Sequence, residues 1–202
     1  MDKKALYQLS YGVFVLTTRT KDRMNGCITN TCMQVANSPA RVAISVLNTN
    51  YTCDLIKESG VFAVSVLDET CNFQTIKYFG MQSGRDVNKF IGFDDVRRAD
   101  NGILVLSRYA SAYISLKLVR TLDLGSHTLF IAELEDAQVL SDLPACTYGY
   151  YQSDIKPKPQ PEKKKGWVCS VCGHVYEGEE LPEDYVCPLC RHGREDFQPI
   201  SQ

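Results

Sequence analysis

The sequence predicts a mainly β fold, a closed or partly closed antiparallel barrel with a few short helices, followed by a small second module. Three observations predict it. Apolar strand-like segments outnumber helical ones, a Pro- and Lys-rich stretch interrupts the chain near residue 160, and two C-x-x-C pairs follow that stretch. With 202 residues and 44% hydrophobic residues, the chain is long enough for one full core and a small module.

Apolar alternation, or an unbroken apolar run, predicts six strands in the first part of the chain. They are expected over residues 12–18, 41–47, 61–67, 103–106, 112–119 and 128–134. Helical spacing predicts helices over 3–9, 52–59 and 69–78, where Asp54 or Glu69 favours a first turn. Many strands with few helices favour a barrel over a doubly wound sheet. No GxGxxG or GxxxxGK[ST] motif is present in the sequence.

The stretch from Gln152 to Gly166 is rich in Pro and Lys and nearly devoid of apolar residues. It cannot bury enough surface to fold, so we expect a linker. The predicted organisation is a first domain over 1–151, a linker over 152–165 and a second module over 166–202. Polyproline-like geometry would make the linker a semi-rigid tether of roughly 40 Å.

The charge of the chain and its lack of targeting features argue against nucleic-acid binding, membrane insertion and secretion. The formal charge of -2, from 22 basic and 24 acidic residues, gives no sign of a nucleic-acid partner. No apolar run approaches the roughly 20 residues needed to span a bilayer, and the first residues, MDKKALYQL, lack the apolar core of a secretion signal. We therefore expect a cytoplasmic protein with no membrane partner.

Nine cysteines are an odd number, and four of them lie in two tight pairs. In a reducing compartment this pattern indicates metal binding rather than disulfides. The other five share no metal spacing and are expected to be small buried hydrophobic residues; they are Cys27, Cys32, Cys53, Cys71 and Cys146.

The predicted metal ligands are Cys169, Cys172, Cys187 and Cys190. A C-x-x-C turn places two sulfurs on one side of a tight loop, and two facing turns form a tetrahedral four-sulfur cage. Tetrahedral thiolate sites suit zinc or a single iron. From the spacing alone, a structural zinc ribbon stays open.

The residues around the cysteines resemble those of the rubredoxin family. The shared features are C-x-x-C-G with an aromatic at Tyr176, the run DYVCPLC, and EDF near the end. The resemblance implies one iron, Fe(III) or Fe(II), and an aromatic core made by Trp167, Tyr176, Tyr185 and Phe197. Two departures stand out. Only 14 residues separate Cys172 from Cys187, and Arg191 replaces the usual glycine after the last cysteine, where a positive φ would cause strain.

Residues 1–151 resemble the flavin reductase-like family, whose members fold as an FMN-binding split barrel and usually dimerise. The matching stretch is MNGCITNTCMQ at 24–34, followed by Ser38-Pro39 and an apolar strand. The resemblance implies that this stretch lies along FMN and that the cofactor contacts are Asn25, Cys27, Thr29, Asn30 and Thr31. A polar edge strand with a turn at Asn25-Gly26 is the alternative.

Two further matches concern the FMN phosphate and the covering loop. The family holds the phosphate at a strand-to-helix junction, which here implicates Asn50 and Thr52 with Arg85 or Lys89 as the cation. The free N–H groups of a helix N-terminus suit an anion. An ordinary helix cap at Thr52 is the alternative. The run SGRDVNKF at 83–90 resembles the loop that closes over the flavin, with a plain solvated loop as the alternative.

The run GSHTLFIAE at 125–133 resembles a family segment whose histidine lies near the nicotinamide face of the flavin. It implies a catalytic, positioning role for His127, although Ser126 and Ala132 replace the usual Asp and Gly. A structural histidine at a strand start is the alternative.

The two modules together resemble the high-molecular-weight rubredoxins of anaerobic bacteria. The resemblance implies that NADH or NADPH reduces FMN, that the iron then takes single electrons, and that an acceptor protein follows, a diiron flavoprotein that reduces O2 or NO. It also implies a homodimer. Two alternatives stay open: a free-flavin or ferric reductase with a zinc tail, and a non-catalytic electron carrier. No nucleotide fingerprint distinguishes NADH from NADPH.

Overall fold

The computed structural model describes residues 2, 5, 8–158 and 166–200. They divide into two compact units, one ending at Pro157 and one beginning at Lys158. Most of the predicted helix over 3–9 and half of the predicted linker lie outside the described residues. No helix among the described residues is long and apolar enough to cross a membrane.

The first unit is built on a seven-stranded antiparallel sheet, which confirms the predicted mainly β fold. Its strands are β1 (Phe14–Arg19), β2 (Met24–Thr29), β3 (Cys32–Asn37), β4 (Ala40–Leu47), β5 (Val61–Leu67), β8 (Ala110–Asp123) and β9 (His127–Val139). The order across the sheet is β2-β1-β5-β8-β9-β4-β3. A separate hairpin joins β6 (Val96–Arg98) to β7 (Leu104–Leu106).

The chain itself closes this sheet into a barrel. Only Asn30 and Thr31 separate β2 from β3, yet β2 pairs with β1 at one edge and β3 pairs with β4 at the other. One continuous segment therefore changes partner and joins the two edges. The alternative turn at Asn25-Gly26 is not formed, because both residues pair with β1 inside β2.

Strand β5 is buried on both faces, which explains a sequence that is apolar except at Ser65. Phe62 and Val64 pack inside the barrel with Leu16 and Phe130. Leu67 belongs to a second cluster outside the barrel, which also contains α2 residues such as Phe79. The barrel therefore has an inner core and a second apolar layer against one outer face.

Two helices lie close to the predicted positions. Helix α1 (Tyr51–Ser59) begins after Asn50, whose side chain accepts from the Thr52 N–H, so Asn50 rather than Thr52 is the cap. Helix α2 (Phe73–Gly80) begins four residues later than predicted. The helix begins later because Asp68 accepts a hydrogen bond from the Thr70 N–H in a turn, and Asn72 then caps the helix.

The first unit extends past the predicted boundary at residue 151. A short helix α3 (Tyr148–Tyr150) continues as a π-helix over Tyr151–Ile155. Tyr151 and Ile155 pack against the outer apolar cluster with Val15 and Ile76. Residues 152–155 are therefore structured, because an apolar side chain on each turn anchors a segment whose composition alone suggests a linker.

The second unit is a three-stranded sheet around an aromatic core. The strands β10 (Trp167–Cys169), β11 (Val175–Tyr176) and β12 (Phe197–Pro199) have the order β11-β10-β12. The Tyr185 ring lies edge-on to Tyr176 at 4.6 Å and to Phe197 at 5.3 Å between centroids. Trp167 packs on the same cluster, as expected from the rubredoxin resemblance.

Candidate functional site

A cavity of about 590 Å³ opens where the chain passes from β2 to β3. Five of the ten residues predicted as catalytic or cofactor-binding line it: Thr29, Asn30, Thr31, Asn50 and His127. They come from three separate parts of the sequence, and the barrel brings them together. The volume is within the usual range for a cofactor pocket.

The polar edge of the cavity is the segment from Thr29 to Thr31. Asn30 and Thr31 belong to neither sheet ladder, so their backbone groups are not committed to strand pairing. Thr29 Oγ1 accepts from the Thr31 N–H over 3.3 Å, and Thr31 Oγ1 donates to Asn30 Oδ1 over 3.2 Å. With the apolar wall formed by Ile28 and Val46, this donor and acceptor set fits the polar edge and flat face of a flavin ring.

The opposite wall is the tip of the β8–β9 hairpin, which Asn48 holds in place. Asn48 Nδ2 donates to Gly125 O over 2.8 Å, and Thr128 Oγ1 donates to Asn48 Oδ1 over 2.6 Å. Ser126 Oγ lies 2.8 Å from His127 Nδ1, and Nε2 has no partner among the described residues. This nitrogen is therefore the one available to a ligand in the cavity.

Tyr148 and Leu124 also line the cavity, and sequence reasoning missed both. Tyr148 begins α3, more than a hundred residues from Thr31, and its N–H donates to Tyr11 O over 2.7 Å. Tyr148 lines two further cavities as well. No local sequence signal marks this position.

Three predicted contact residues are buried in β2 and α1 and do not line the cavity. Asn25, Cys27 and Thr52 are at most 3% exposed, and Asn25 Nδ2 donates to Thr52 Oγ1 over 2.9 Å. Burial raises the pKa of Cys27, although a hydrogen bond from Thr52 partly offsets it, so the thiol stays protonated. These residues tie β2 to α1, and the geometry does not favour a direct contact with the cofactor.

Lys89 has a different place from the one predicted for a phosphate-binding cation. It is only 2% exposed, and its Nζ donates to Gly26 O over 2.8 Å and to Phe79 O over 2.7 Å. Burial lowers its pKa, with a partial offset from Cys27. A lysine whose amine is buried on two carbonyls links α2 to β2 and does not reach a surface anion.

Arg85 lies at a smaller cavity of about 280 Å³ beside the first turn of α1. Its guanidinium lies 4.7 Å from the centroid of the Tyr51 ring and forms an ion pair with Asp54. Arg23, which sequence reasoning missed, donates to Tyr51 Oη over 3.1 Å in the same cavity. Asn50 lines the large cavity, and Tyr51, the next residue, lines the small one. Both cavities therefore adjoin the start of α1.

The four predicted metal ligands converge in the second unit. The Sγ atoms of Cys169, Cys172, Cys187 and Cys190 all lie within 4.8 Å of one another. Cys169 and Cys190 are 3.6 Å apart, and Cys172 and Cys187 are 3.5 Å apart. A tetrahedron with metal–sulfur bonds of about 2.3 Å has edges of about 3.8 Å, so the cluster fits one tetrahedral metal ion.

Backbone N–H groups around the cluster favour thiolates. Burial acts to raise the pKa of Cys187, but the N–H groups of Cys190 and Leu189 and the neighbouring thiols lower it to about 6. The His192 N–H acts to lower the pKa of Cys190, but burial and the neighbouring thiols raise it to about 12. Without a metal the cluster therefore holds a thiolate at Cys187 and a thiol at Cys190 at neutral pH, and a bound cation would favour the other thiolates. Such N–H···S bonds also tune the reduction potential of a bound iron.

The two metal-binding turns, here called the first and second knuckle, repeat one backbone pattern. In the first knuckle the Cys169 N–H donates to His174 O, and the Gly173 N–H donates to Cys169 O. In the second, the Cys187 N–H donates to His192 O, and the Arg191 N–H donates to Cys187 O. The φ angles at Gly173 and Arg191 are 77° and 64°. The backbone of Arg191 is therefore in the left-handed region, as its position after the last cysteine suggested.

Two family models match the chain. The flavin reductase like domain matches residues 6–158, and the rubrerythrin, rubredoxin-like domain matches residues 167–198. The first covers most of the chain and contains the large cavity. The second contains all four cysteines of the cluster.

Relatives in sequence agree with this division. The chain is 33% identical to the high molecular weight rubredoxin of Moorella thermoacetica over 99% of this chain and all of that protein. It is 36% identical to a ferric-chelate reductase (NAD(P)H) of Archaeoglobus fulgidus over 78% of this chain and 93% of that protein.

Solved structures share the barrel fold. The flavin reductase PheA2 superposes with a TM-score of 0.61 at 25% identity, over 73% of this chain and 93% of that one. An NADH:FAD oxidoreductase of Streptomyces globisporus in complex with NAD and FAD fragments superposes with a TM-score of 0.65 at 21% identity, over 79% and 92%.

The geometry and the comparisons support the same biochemical class. A flavin-binding fold and an iron-binding cysteine cluster of rubredoxin type occur in one chain, and both centres carry electrons. This combination is that of an electron-transfer oxidoreductase. The chain belongs to the flavin reductase-like family and carries a C-terminal rubredoxin-like domain, the arrangement of the high-molecular-weight rubredoxins.

Proposed function

We propose that this chain is an NAD(P)H-dependent oxidoreductase that passes electrons from NADH or NADPH, through FMN in the barrel, to a one-iron centre in the tail and on to an acceptor protein. The observation that supports it most is a flavin-sized cavity and a four-thiolate cluster in one chain. FMN accepts two electrons as hydride and releases them singly, and a thiolate-bound iron takes one at a time.

The residues of the large cavity would bind and orient the flavin ring. Thr29 and Thr31 offer hydroxyl groups to its polar edge, and Asn30 offers its amide. The backbone groups of Asn30 and Thr31 are outside the strand pairing. Arg85 and Arg23 at the small cavity are the candidate phosphate ligands, although Asp54 shares the charge of Arg85. A space of about 280 Å³ suits a terminal phosphate better than the ADP half of FAD, which supports FMN.

His127 would position the nicotinamide. The Ser126 hydroxyl has no other acceptor among the described residues, so we assign it as the donor to His127 Nδ1. The proton of the neutral imidazole then lies on Nε2, where it can donate to a carboxamide or flavin oxygen. Ser126→Ala should slow flavin reduction several-fold without lowering the affinity for FMN, as measured by anaerobic stopped-flow.

The relay is tested with full-length protein loaded with FMN and iron. Anaerobic NADH or NADPH should bleach both the flavin band and the iron charge-transfer bands. Cys190→Ser should spare reduction of FMN and abolish reduction of the acceptor protein, for which we propose a diiron flavoprotein that reduces O2 or NO. An unchanged acceptor rate in Cys190→Ser, or an iron centre that neither nucleotide bleaches, would exclude the relay.

Reduction of ferric chelates is the second candidate function, favoured by the similarity of the barrel to the ferric-chelate reductase. It requires only the flavin cavity. In that case Cys190→Ser should reduce ferric EDTA at the wild-type rate, and a colourless tail with one zinc per chain would support it. A flavin that neither nucleotide reduces would instead indicate a non-catalytic carrier.

We also propose a cytoplasmic homodimer. An exposed apolar face supports the dimer, with Met33 and Val35 on β3 and Leu122 on the β8–β9 hairpin each about half exposed. Nine cysteines without a disulfide suit a reducing compartment. Sedimentation equilibrium measures the mass, and a mass of one chain would exclude the dimer.

A further inference from the structure

Arg191 occupies a position that its backbone conformation disfavours. The first knuckle has Gly173 at this point, and both residues have a positive φ. Glycine adopts this conformation freely, whereas a residue with a β-carbon is strained in it. Since the two knuckles are otherwise alike in their hydrogen bonds, the fold of the second knuckle does not itself require an arginine.

Within the described part of the chain, the guanidinium of Arg191 forms no polar contact that would stabilise the folded module. The side chain is exposed, and it has no hydrogen bond or ion pair among the residues that the structure describes. Residues 166–202 contain only two arginines against seven carboxylates. Within residues 166–202 Arg191 is therefore a strained, unpaired cation among mostly acidic residues, a combination that favours a contact outside the chain.

The surroundings of Arg191 are suited to such a contact. It directly follows the metal ligand Cys190, and Leu189 and Val186 in the same knuckle are 71% and 50% exposed. When an acceptor covers these apolar side chains, it excludes water, and the charge on Arg191 acts more strongly than in open solvent.

We propose that Arg191 is the acceptor-selecting residue of the second knuckle, where it recognises an acceptor that carries negative charge at its point of contact. One electron leaves the four-thiolate iron for this acceptor, and no bond forms or breaks. The inference rests on the proposed function in that electrons exit through the tail. Beyond that function, it specifies that the acceptor is negatively charged at its contact surface and that Arg191 recognises this charge.

Two redox probes of opposite charge test the selection. The full-length protein, with iron loaded and reduced by dithionite, is mixed with ferricyanide or with tris(phenanthroline)cobalt(III) in a stopped-flow instrument. The loss of a unit charge about 7 Å from a triply charged ion in water, at an ionic strength of about 10 mM, changes the rate constant of their reaction about tenfold. Arg191→Gln should therefore slow ferricyanide about tenfold and speed the cobalt complex by a similar factor.

Arg194→Gln is the matched control, because Arg194 is exposed in the same module and lies in a short 3-10 turn. It makes the same change in net charge and should alter both rates less than Arg191→Gln does, because Arg194 does not adjoin a metal ligand. The midpoint potential is measured in each variant as well. A changed driving force shifts the rates of both oxidising probes in one direction, whereas charge recognition shifts them in opposite directions.

Stability gives a readout that does not depend on electron transfer. Arg191→Gly in the zinc-loaded protein should raise the unfolding midpoint of the tail by about 3 °C, because it relieves the positive-φ strain. Trp167, the only tryptophan of the chain, reports this transition by fluorescence. Arg191→Gln should leave the midpoint unchanged.

Equal effects of Arg191→Gln and Arg194→Gln, or no opposite shift of the two probe rates, would overturn the proposal. An unchanged unfolding midpoint in Arg191→Gly would show that Arg191 is not strained, which would also overturn the proposal. Because dithionite supplies the electrons, these results do not need nicotinamide or FMN. If NADH and NADPH fail to bleach the iron, the relay is excluded while the role of Arg191 is still decided.

Discussion

Replacing Lys89 by methionine tests whether this buried amine holds the barrel together or holds a cofactor. Its Nζ donates to Gly26 O and Phe79 O over 2.8 and 2.7 Å. A hydrogen bond from a charged donor contributes about 1.5–3 kcal/mol, and Lys89→Met leaves two carbonyls without their donor. We therefore expect the free energy of unfolding to fall by about 3–5 kcal/mol in urea denaturation.

The pH dependence gives a second measure of the same burial. Burial lowers the pKa of Lys89 below its ordinary value of 10.5, so the folded state binds the proton less tightly than the unfolded chain. The free energy of unfolding therefore rises as the pH increases through the window just below 10.5. Lys89→Met should lose this rise, measured by denaturation between pH 7 and about 10.

Arg85→Met is the matched control for Lys89→Met. The Arg85 side chain is 52% exposed, so its loss should change the free energy of unfolding by less than about 1 kcal/mol. It should instead weaken FMN binding, measured by flavin fluorescence. If Lys89→Met keeps the stability of the wild type and loses FMN affinity, Lys89 is a cofactor ligand and the assignment of a structural role is refuted.

Three further changes test other parts of the structure. Gly84→Ala should weaken FMN binding in a fluorescence titration, because an added β-carbon would overlap the Asn25 amide and displace the loop that carries Arg85; unchanged affinity would contradict this packing. Asn50→Ala removes the α1 cap and should lower the free energy of unfolding by about 1 kcal/mol, whereas Asn50→Ser should retain most of it. Removing the metal with a chelator should unfold the tail, seen by Trp167 fluorescence, while the circular dichroism of the barrel persists; loss of both signals would argue against independent units.

A strand that is apolar at nearly every position was predictable to the residue. The prediction of 61–67 matches β5, because burial on both faces makes every position except Ser65 apolar. Strands β2 and β3 were not predicted as strands, since β3 is mostly exposed and β2 contains Asn25 and Gly26. Each pairs with the strand next to it in sequence, β2 with β1 and β3 with β4, but neither has the apolar pattern that marks a strand.

The site was predictable where family motifs carry it and not where burial decides it. The resemblance placed Thr31, Asn50 and His127 at one cofactor, and the barrel brings them to one cavity. The sequence shows that Lys89 is charged but not that its amine is enclosed by two carbonyls. Tyr148 approaches the cavity only through the complete tertiary fold.

The junction at Asn30 and Thr31 makes the binding site part of the closure of the barrel. The two residues join strands that pair with opposite edges of the sheet, so a ligand held there bridges a gap in the hydrogen-bond network. Cofactor loading should therefore slow amide hydrogen exchange along β2 and β3 more than in the central strands. A protein that has lost its flavin would open first along this junction, where a fresh cofactor molecule also has to enter.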